Sequence, residues 1–279
     1  METTTLFRPV GQLELDLIAQ SRWSAFPPRL DWQPIFYPVT NEHYATRIAS
    51  EWNTEDEENG NVGYVLRFAV ESEFLAQFDV QQVGDETCLE YWIPAERLDE
   101  FNAAIVGKIE QVGFHSKWDE LPVLFLDIDG VLNPLGVSSP PGFRTDYVDG
   151  FEVAISEDHA TWLASLRGRA QLVWATTWEY SANRSMGPAL GLTPLPVLEF
   201  NEGREGDSWK LPAVREWAGG RPMVWVDDEL YSDAFAWAEA RPSRTLLVRP
   251  SAYAGLSAAE MEAIDRFLDE ARSGLASDE

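Results

Sequence analysis

LPVLFLDIDGVLNP, residues 121–134, is an apolar run that ends in two aspartates, Asp127 and Asp129, followed by a glycine. An apolar run without alternation is typical of a strand that is buried on both faces of a parallel sheet. Two carboxylates at the end of such a strand repel each other unless a cation lies between them. The stretch therefore predicts a buried strand with a cation site at its carboxyl end.

The sequence that follows this stretch alternates between apolar strand patterns and helix patterns. QLVWATTW and PMVWVDD read as further buried strands, LPVLEF as a short one, and SEDHATWLASLRG as a helix. This alternation predicts an α/β domain over residues 120–279, with helices on both faces of a parallel sheet. Short strands dominate upstream and predict a smaller α+β domain over residues 1–116, with the boundary near VGFHSKWDELP.

Further polar side chains fall where the later strands end or a helix begins. They are Thr176 and Thr177 in LVWATTW, Lys210 in SWKLP, and Asp227 and Asp228 in MVWVDDE. Ligands of an open parallel sheet bind beyond the carboxyl ends of its strands, so we expect these side chains to meet. Carboxylates without histidine or cysteine select a hard ion such as Mg²⁺. Hydroxyl and ammonium groups can hold phosphate oxygens, and a carboxylate can act as nucleophile.

Each fragment also has a simpler interpretation when it is taken alone. The DIDG string can be a solvated turn, the Asp227–Asp228 pair can cap a helix, and a lysine at a helix start is usually a surface residue. The common order and context of the fragments favour one phosphoryl-transfer site over three coincidences.

In this order, FLDIDGVLN, VWATTW, WK and VWVDDE resemble the four motifs of the haloacid dehalogenase-like (HAD) hydrolase superfamily, over residues 121 to about 273. The stretches DGVLNP, WATTWEYSAN and GLSAAEMEAI are most similar to the HAD domain of Swiss army knife RNA repair proteins. The resemblance implies a Rossmann-like fold and a Mg²⁺-dependent phosphatase.

The resemblance also implies a role for each matching residue. Asp127 is then the nucleophile and a metal ligand, and Asp129 is the general acid and base, whose backbone carbonyl also binds the metal. Asp227 and Asp228 complete the metal site. Thr176, with Thr177 beside it, binds phosphate, and Lys210 stabilises the transferring group. An aspartate at position 129 is typical of phosphomonoesterases, because it can protonate an alcohol leaving group.

The lengths between the motifs bear on the substrate. Residues 134–155 and 179–207 are too few to build a large cap domain. An open site suits large substrates, and we expect RNA or DNA ends or another large phosphorylated molecule. Trp178 could stack a base at the mouth of the site or pack beneath the loop.

The first segment resembles ADP-ribosyltransferase-like domains, labelled ADP-ribosylation/crystallin J1, in LFRPVG, IFYPVTNEHYATRIASEW and LEYWIPAERL. The resemblance implies that Arg8 contacts the phosphates of NAD, Tyr37 lies near the nicotinamide, and Glu90 is catalytic. The segment departs from the pattern, since it has no Ser-Thr-Ser stretch and no histidine on the first strand. Two alternatives follow: an NAD-dependent ADP-ribosyl or 2′-phosphate transferase with an accessory HAD domain, or a module that recruits a protein partner to a small-molecule phosphatase.

The composition restricts the partners and the compartment. The chain has 279 residues, with 47 acidic and 21 basic side chains, and a net charge of −26. Such a charge repels polyanions except at a locally basic groove. Cys88 is the only cysteine, so neither a disulfide nor a thiolate metal cluster is possible within the chain. No signal peptide or membrane span is evident, and we expect a cytoplasmic protein.

Overall fold

The fold consists of two compact units, residues 1–117 and 118–279. The computed structural model describes residues 2–136, 140–200 and 206–275. The main sheet of the first unit is antiparallel, whereas that of the second unit is parallel. Within the described ranges, every helix is too short or too polar to cross a lipid bilayer.

The first unit contains short elements around a three-stranded sheet. Its strands are β1 (Thr3–Val10), β2 (Ile35–Phe36), β3 (Val62–Glu71), β4 (Val80–Gln82), β5 (Leu89–Tyr91), β6 (Ile93–Pro94) and β7 (Ile105–Ser116). Its α-helices are α1 (Gln12–Gln20), α2 (Glu42–Glu51), α3 (Ser72–Leu75) and α4 (Leu98–Ala103), with 3-10 turns at Asn53–Glu55 and Ala95–Arg97. Strand β3 lies between β1 and β7 and is antiparallel to both.

The two faces of this sheet pack differently. One face packs against an aromatic cluster in which Phe26 contacts Phe36 and Phe68, with ring centroids 4.8 Å apart in both pairs. The other face packs against α2, whose Tyr44 and Ala45 join Val39 in a buried cluster. Side chains alternate between the faces of a strand, which explains why both odd and even residues of β3 are buried.

The second unit contains a parallel sheet, a hairpin and six helices among the residues that the structure describes. Its strands are β8 (Val123–Leu126), β9 (Phe143–Val148), β10 (Phe151–Ser156), β11 (Gln171–Trp174), β12 (Met223–Val226) and β13 (Thr245–Val248). Its helices are α5 (Glu157–Ser165), α6 (Ser181–Arg184), α7 (Met186–Ala189), α8 (Leu211–Ala218), α9 (Ser232–Ala240) and α10 (Ala258–Leu275).

The four parallel strands are ordered β11-β8-β12-β13. All residues of β8, β11 and β12 are buried, as expected for strands that are covered on both faces. The chain runs from β8 to β11 on one side and then returns to β12 on the other side. Ligand sites of open parallel sheets form at such a reversal of strand order, beyond the carboxyl ends of the strands. The topology therefore directs attention to the ends of β8 and β12.

Strands β9 and β10 form an antiparallel hairpin within the segment that is too short for a cap domain. Its two-residue turn is Asp149–Gly150, and both residues have positive φ, 51° and 84°. This is the backbone shape that joins two antiparallel strands with the least strain, and Asp-Gly is a preferred sequence for it.

The segment LPVLEF, residues 195–200, was predicted to be a strand, but it forms only an isolated β-bridge. Only Val197 is bridged to the sheet, through Trp174 at the end of β11. The backbone N–H of Leu198 donates to the Trp174 carbonyl at 2.8 Å, and that of Trp174 donates to the Pro196 carbonyl. Pro196 has no N–H to donate, so the ladder cannot extend towards the N-terminal side of the segment.

Candidate active site

The candidate site begins where β8 and β12 end side by side. Leu126 and Val226 are paired in register, so Asp127 and Asp227 follow at the same level of the sheet. The N–H of Asp127 donates to the Val226 carbonyl at 3.1 Å, which extends the ladder by one residue. Both aspartates are buried, with 5 % and 1 % of their surface exposed. The sheet thus fixes two buried carboxylates next to each other.

The loop after Asp127 turns tightly around the carbonyl of Ile128. This carbonyl accepts hydrogen bonds from the N–H groups of Val131, Leu132 and Asn133. Gly130 in this loop has a φ of +74°, and a Cβ atom there would lie 2.4 Å from the carboxyl carbon of Asp228. Only glycine combines this backbone conformation with so close an approach. Gly130 thereby allows Asp228 to lie directly against the aspartate loop.

Lys210 is the cationic partner of the two buried aspartates. Its Nζ donates to Asp127 Oδ2 at 2.5 Å and to Asp227 Oδ2 at 2.8 Å. It directly precedes α8, in which Pro212 occupies the first turn, a position where no backbone donor is needed. Ser208 holds this segment, because its Oγ donates to Asp233 and accepts from the N–H of Tyr231. The lysine is 4 % exposed and is aimed into the site.

The carboxylates of the site outnumber its ammonium group, and the pKa values reflect this imbalance. Burial raises the pKa of Asp127 to about 7; Lys210 opposes this rise and Asp227 adds to it. Burial and the charge of Asp227 also raise the pKa of Asp228. Burial alone would lower the pKa of Lys210, but Asp127 and Asp227 outweigh it and raise this pKa. The arrangement favours an additional cation.

The oxygen ligands for such a cation are already close together. One carboxylate oxygen from each of Asp127, Asp227 and Asp228 lies within 4.8 Å of the other two. A group of carboxylate oxygens without nitrogen or sulfur fits a hard divalent ion such as Mg²⁺. These three aspartates are three of the four metal ligands that the resemblance implies; the fourth, Asp129, is expected to contribute its backbone carbonyl.

The side chain of Asp129 lies outside this group of three carboxylates. Its Oδ1 accepts from Asn133 Nδ2 at 2.8 Å, and its Oδ2 accepts from Trp178 Nε1 at 2.9 Å. Asn133 lies in the DGVLNP stretch but was not predicted as a site residue, and the bond from Trp178 was not predicted. The stacking and packing interpretations of Trp178 both overlooked its N–H group.

The two threonines after β11 differ in environment. Thr176 is fully buried, and its Oγ1 accepts from the N–H of Trp178 at 3.4 Å. Thr177 is exposed. The N–H of Ala175 donates to the Leu126 carbonyl at 2.9 Å, which holds the start of this loop at the level of Asp127. Thr176 is thus placed at the same edge of the sheet as the aspartates.

The three residues predicted for a site in the first unit lie on two faces of its sheet. Arg8 forms a double hydrogen bond with Glu14 and lies over the Phe36 ring, on the aromatic face. Tyr37 and Glu90 both contact Trp92, Tyr37 through its ring and Glu90 by accepting from Nε1 at 2.7 Å.

Bridges join Phe7 to Val39 and Val39 to Glu90, so Glu90 points to the same face as Phe7. Arg8 follows Phe7 in the strand and therefore points to the opposite face. Tyr37 and Glu90 therefore meet at Trp92, and the Tyr37 carbonyl accepts from Arg8 Nη1 at 3.1 Å, whereas the side chains of Arg8 and Glu90 are separated by the sheet.

Comparison with known proteins gives a family match within the second unit. Residues 123–261 match the family described as the HAD domain in Swiss Army Knife RNA repair proteins. No curated protein and no solved structure matches the chain. None of these comparisons supports the resemblance of the first segment to ADP-ribosyltransferases. With a parallel sheet that ends in buried aspartates, residues 123–261 form a Rossmann-like HAD hydrolase domain, preceded by a smaller unit of antiparallel sheets.

Proposed function

We propose that the second unit is a Mg²⁺-dependent phosphomonoesterase in which Asp127 forms an aspartyl-phosphate. The observation that supports this most directly is the contact of Lys210 with both Asp127 and Asp227 at the ends of adjacent parallel strands. A buried carboxylate beside an ammonium group and a cation site is suited to attack a phosphate that would otherwise be repelled.

The metal would be held by Asp127, Asp227 and Asp228, with the backbone carbonyl of Asp129 as a further ligand. When bound, Mg²⁺ neutralises charge on the phosphate oxygens. The Lys210 ammonium and the hydroxyl groups of Thr176 and Thr177 hold the remaining phosphate oxygens.

The reaction proceeds in two steps that share the same two aspartates. In the first step, a carboxylate oxygen of Asp127 attacks phosphorus, the bond to the alcohol oxygen breaks, and Asp129 gives that oxygen a proton. In the second step, water attacks the phosphorus of the aspartyl-phosphate. Asp129 takes the proton of the water, and Asp127 leaves as a carboxylate, which releases inorganic phosphate.

The test of this proposal is phosphatase turnover with Mg²⁺ in Asp127→Asn. We expect kcat to fall roughly a thousandfold or more, because the amide cannot act as the nucleophile. Asp269→Asn is the matched control, since Asp269 is an exposed carboxylate on α10 that pairs with Arg169. Acid-quenched protein should contain covalently bound phosphate in the wild type and the control but not in Asp127→Asn. Undiminished turnover in Asp127→Asn would rule out the nucleophile assignment.

We propose phosphorylated RNA or DNA ends as the substrate. This rests on the similarity to a domain of RNA repair proteins and on the segment after Asp129, which contains a small hairpin rather than a domain. The aromatic side chains of Tyr147 and Phe151 are exposed on this hairpin, with 71 % and 67 % of their surface accessible. We propose no NAD chemistry for the first unit, because Arg8 and Glu90 point to opposite faces of the sheet.

A further inference from the structure

The carboxylate of Asp129 is held by two N–H donors from different parts of the second unit. Asn133 donates to Oδ1 at 2.8 Å and Trp178 donates to Oδ2 at 2.9 Å. Each carboxylate oxygen has two lone pairs, so both oxygens retain a free acceptor position. The two bonds define the orientation of the carboxylate plane without blocking a proton on either oxygen.

The donor Asn133 is fixed by its own hydrogen bonds. Its Oδ1 accepts from the N–H of Ala154 on β10 at 2.9 Å, which leaves its NH₂ group facing Asp129. Its backbone N–H donates to Ile128, and its carbonyl accepts from Gly130, both at 2.8 Å. Asn133 therefore anchors one oxygen of Asp129 from within the same loop.

The donor Trp178 reaches Asp129 from the loop after β11. Its indole ring has one N–H donor and no acceptor, so the bond to Asp129 uses its whole hydrogen-bonding capacity. The ring is half-buried, and its centroid lies 6.5 Å from that of Phe151 on β10. Packing against Phe151 and the bond to Asp129 together restrict the orientation of the indole.

We propose that Trp178 is a positioning residue that directs Asp129 towards the oxygen of the leaving group. The inference rests on the proposed phosphatase function. With Asn133 alone, the carboxyl group of Asp129 can turn about its Cβ–Cγ bond; the second donor removes that freedom. Proton transfer in the transition state requires a donor within hydrogen-bond reach of the leaving oxygen, so loss of the second donor slows the step that breaks the ester bond.

The consequence is a rate effect that depends on the leaving group. An alkoxide leaves poorly unless it is protonated, whereas 4-nitrophenolate leaves readily without a proton. Trp178→Phe retains an aromatic ring but removes the N–H group. We expect kcat/KM for an alkyl ester such as glycerol phosphate to fall roughly 10- to 100-fold, and kcat/KM for 4-nitrophenyl phosphate to fall less than about threefold.

Three further variants separate positioning from packing. Phe151→Leu removes the neighbouring ring but leaves the indole N–H and its bond to Asp129 in place, so the ratio of kcat/KM between the two esters should change much less than in Trp178→Phe. Asp129→Asn should lose turnover of the alkyl ester selectively, and adding Trp178→Phe to it should cause little further loss, because both changes act on the same proton transfer. Benzothienylalanine at position 178, which replaces the N–H by sulfur at nearly constant volume, should reproduce the effect of Trp178→Phe.

The outcomes distinguish this inference from the proposed function. Equal losses on both esters in Trp178→Phe and in the benzothienylalanine protein would overturn the positioning role, while the phosphatase would stand. A wild-type protein that is inactive with Mg²⁺ on both esters and on 3′- and 5′-phosphorylated oligonucleotides would overturn the phosphatase, and the inference with it. Retained turnover of the aryl ester shows in the same experiment that a variant is folded.

Discussion

Gly130 shows how a single residue without a side chain shapes the candidate site. Its φ of +74° and the position of the Asp228 carboxylate leave no room for a Cβ atom. Asp228 must lie against the aspartate loop for its oxygen to come within 4.8 Å of those of Asp127 and Asp227. The glycine of the DIDG stretch therefore determines where a carboxylate nearly a hundred residues later can lie.

We predict that Gly130→Ala displaces Asp228, raises the Mg²⁺ concentration needed for half-maximal turnover at least tenfold, and lowers the free energy of unfolding by about 1–3 kcal/mol. Gly150→Ala is the matched control, because Gly150 also has a positive φ, 84°, but a Cβ atom at this position would have no neighbouring atom within 4 Å. Urea unfolding and Mg²⁺ titration of turnover would measure both effects. An equal Mg²⁺ dependence in the two variants would contradict the role of Gly130.

The sequence was sufficient to propose the residues that follow strand ends, but not the bonds between their side chains. Asp127 and Asp227 each follow an apolar run, and the parallel topology makes their proximity a consequence of register. The bond from Trp178 to Asp129 joins residues 49 positions apart, and it depends on the path of an irregular loop. No periodicity encodes such a loop, so only the structure could reveal the pair.

Among the elements, the hairpin of β9 and β10 had a signal that was overlooked. Asp149–Gly150 separates FRTDYV from FEVAIS, and Asp-Gly between two strand-forming runs is a strong indication of a two-residue turn. The isolated bridge at Val197 is the opposite case: the apolar run LPVLEF suggested a strand, but Pro196 prevents the ladder from extending towards the N-terminal side. The turn residues Asp149 and Gly150 and the proline at position 196 determined these two elements more than the hydrophobic pattern did.

Helix α2 lies directly against β3 at Gly63. We predict that Gly63→Ala destabilises the protein by roughly 3 kcal/mol or more, because a Cβ atom there would lie 2.1 Å from the Ala49 carbonyl oxygen. Gly220→Ala is the control, since a Cβ atom at that glycine has no neighbour within 4 Å and its φ is not positive. Urea unfolding of both variants checks the prediction, and similar midpoints would contradict it.

At the scale of the whole molecule, the fold of the second unit could be predicted from the sequence more completely than the strand pairing of the first unit. Uninterrupted apolar strands alternating with helices are enough to predict a parallel sheet, and the order β11-β8-β12-β13 agrees with that fold class. Beside its three-stranded sheet, the first unit contains strands of two or three residues and isolated bridges such as Phe7 to Val39. Elements this short have too few residues to show a period, so their pairing could not be read from the sequence.

The net charge of −26 leads to a prediction about the proposed nucleic-acid substrate. We expect kcat/KM for a 3′- or 5′-phosphorylated oligonucleotide to rise when NaCl is increased from about 20 to 200 mM, because salt screens the repulsion between an acidic protein and a polyanion. Glycerol phosphate is the control, since its smaller charge should give a weaker dependence. A steep fall with salt would indicate a basic groove that releases counterions. No turnover of either oligonucleotide would remove nucleic-acid ends as the substrate.

Lys210 gives the buried carboxylates a counter-charge that is covalently part of the chain. A domain whose acidic centre is balanced only by a divalent ion depends on that ion in order to fold. Here the contacts of Lys210 with Asp127 and Asp227 connect the aspartates to α8 through the polypeptide itself. For the proposed Mg²⁺-dependent phosphatase, we therefore expect a chelator to abolish turnover reversibly without unfolding the protein.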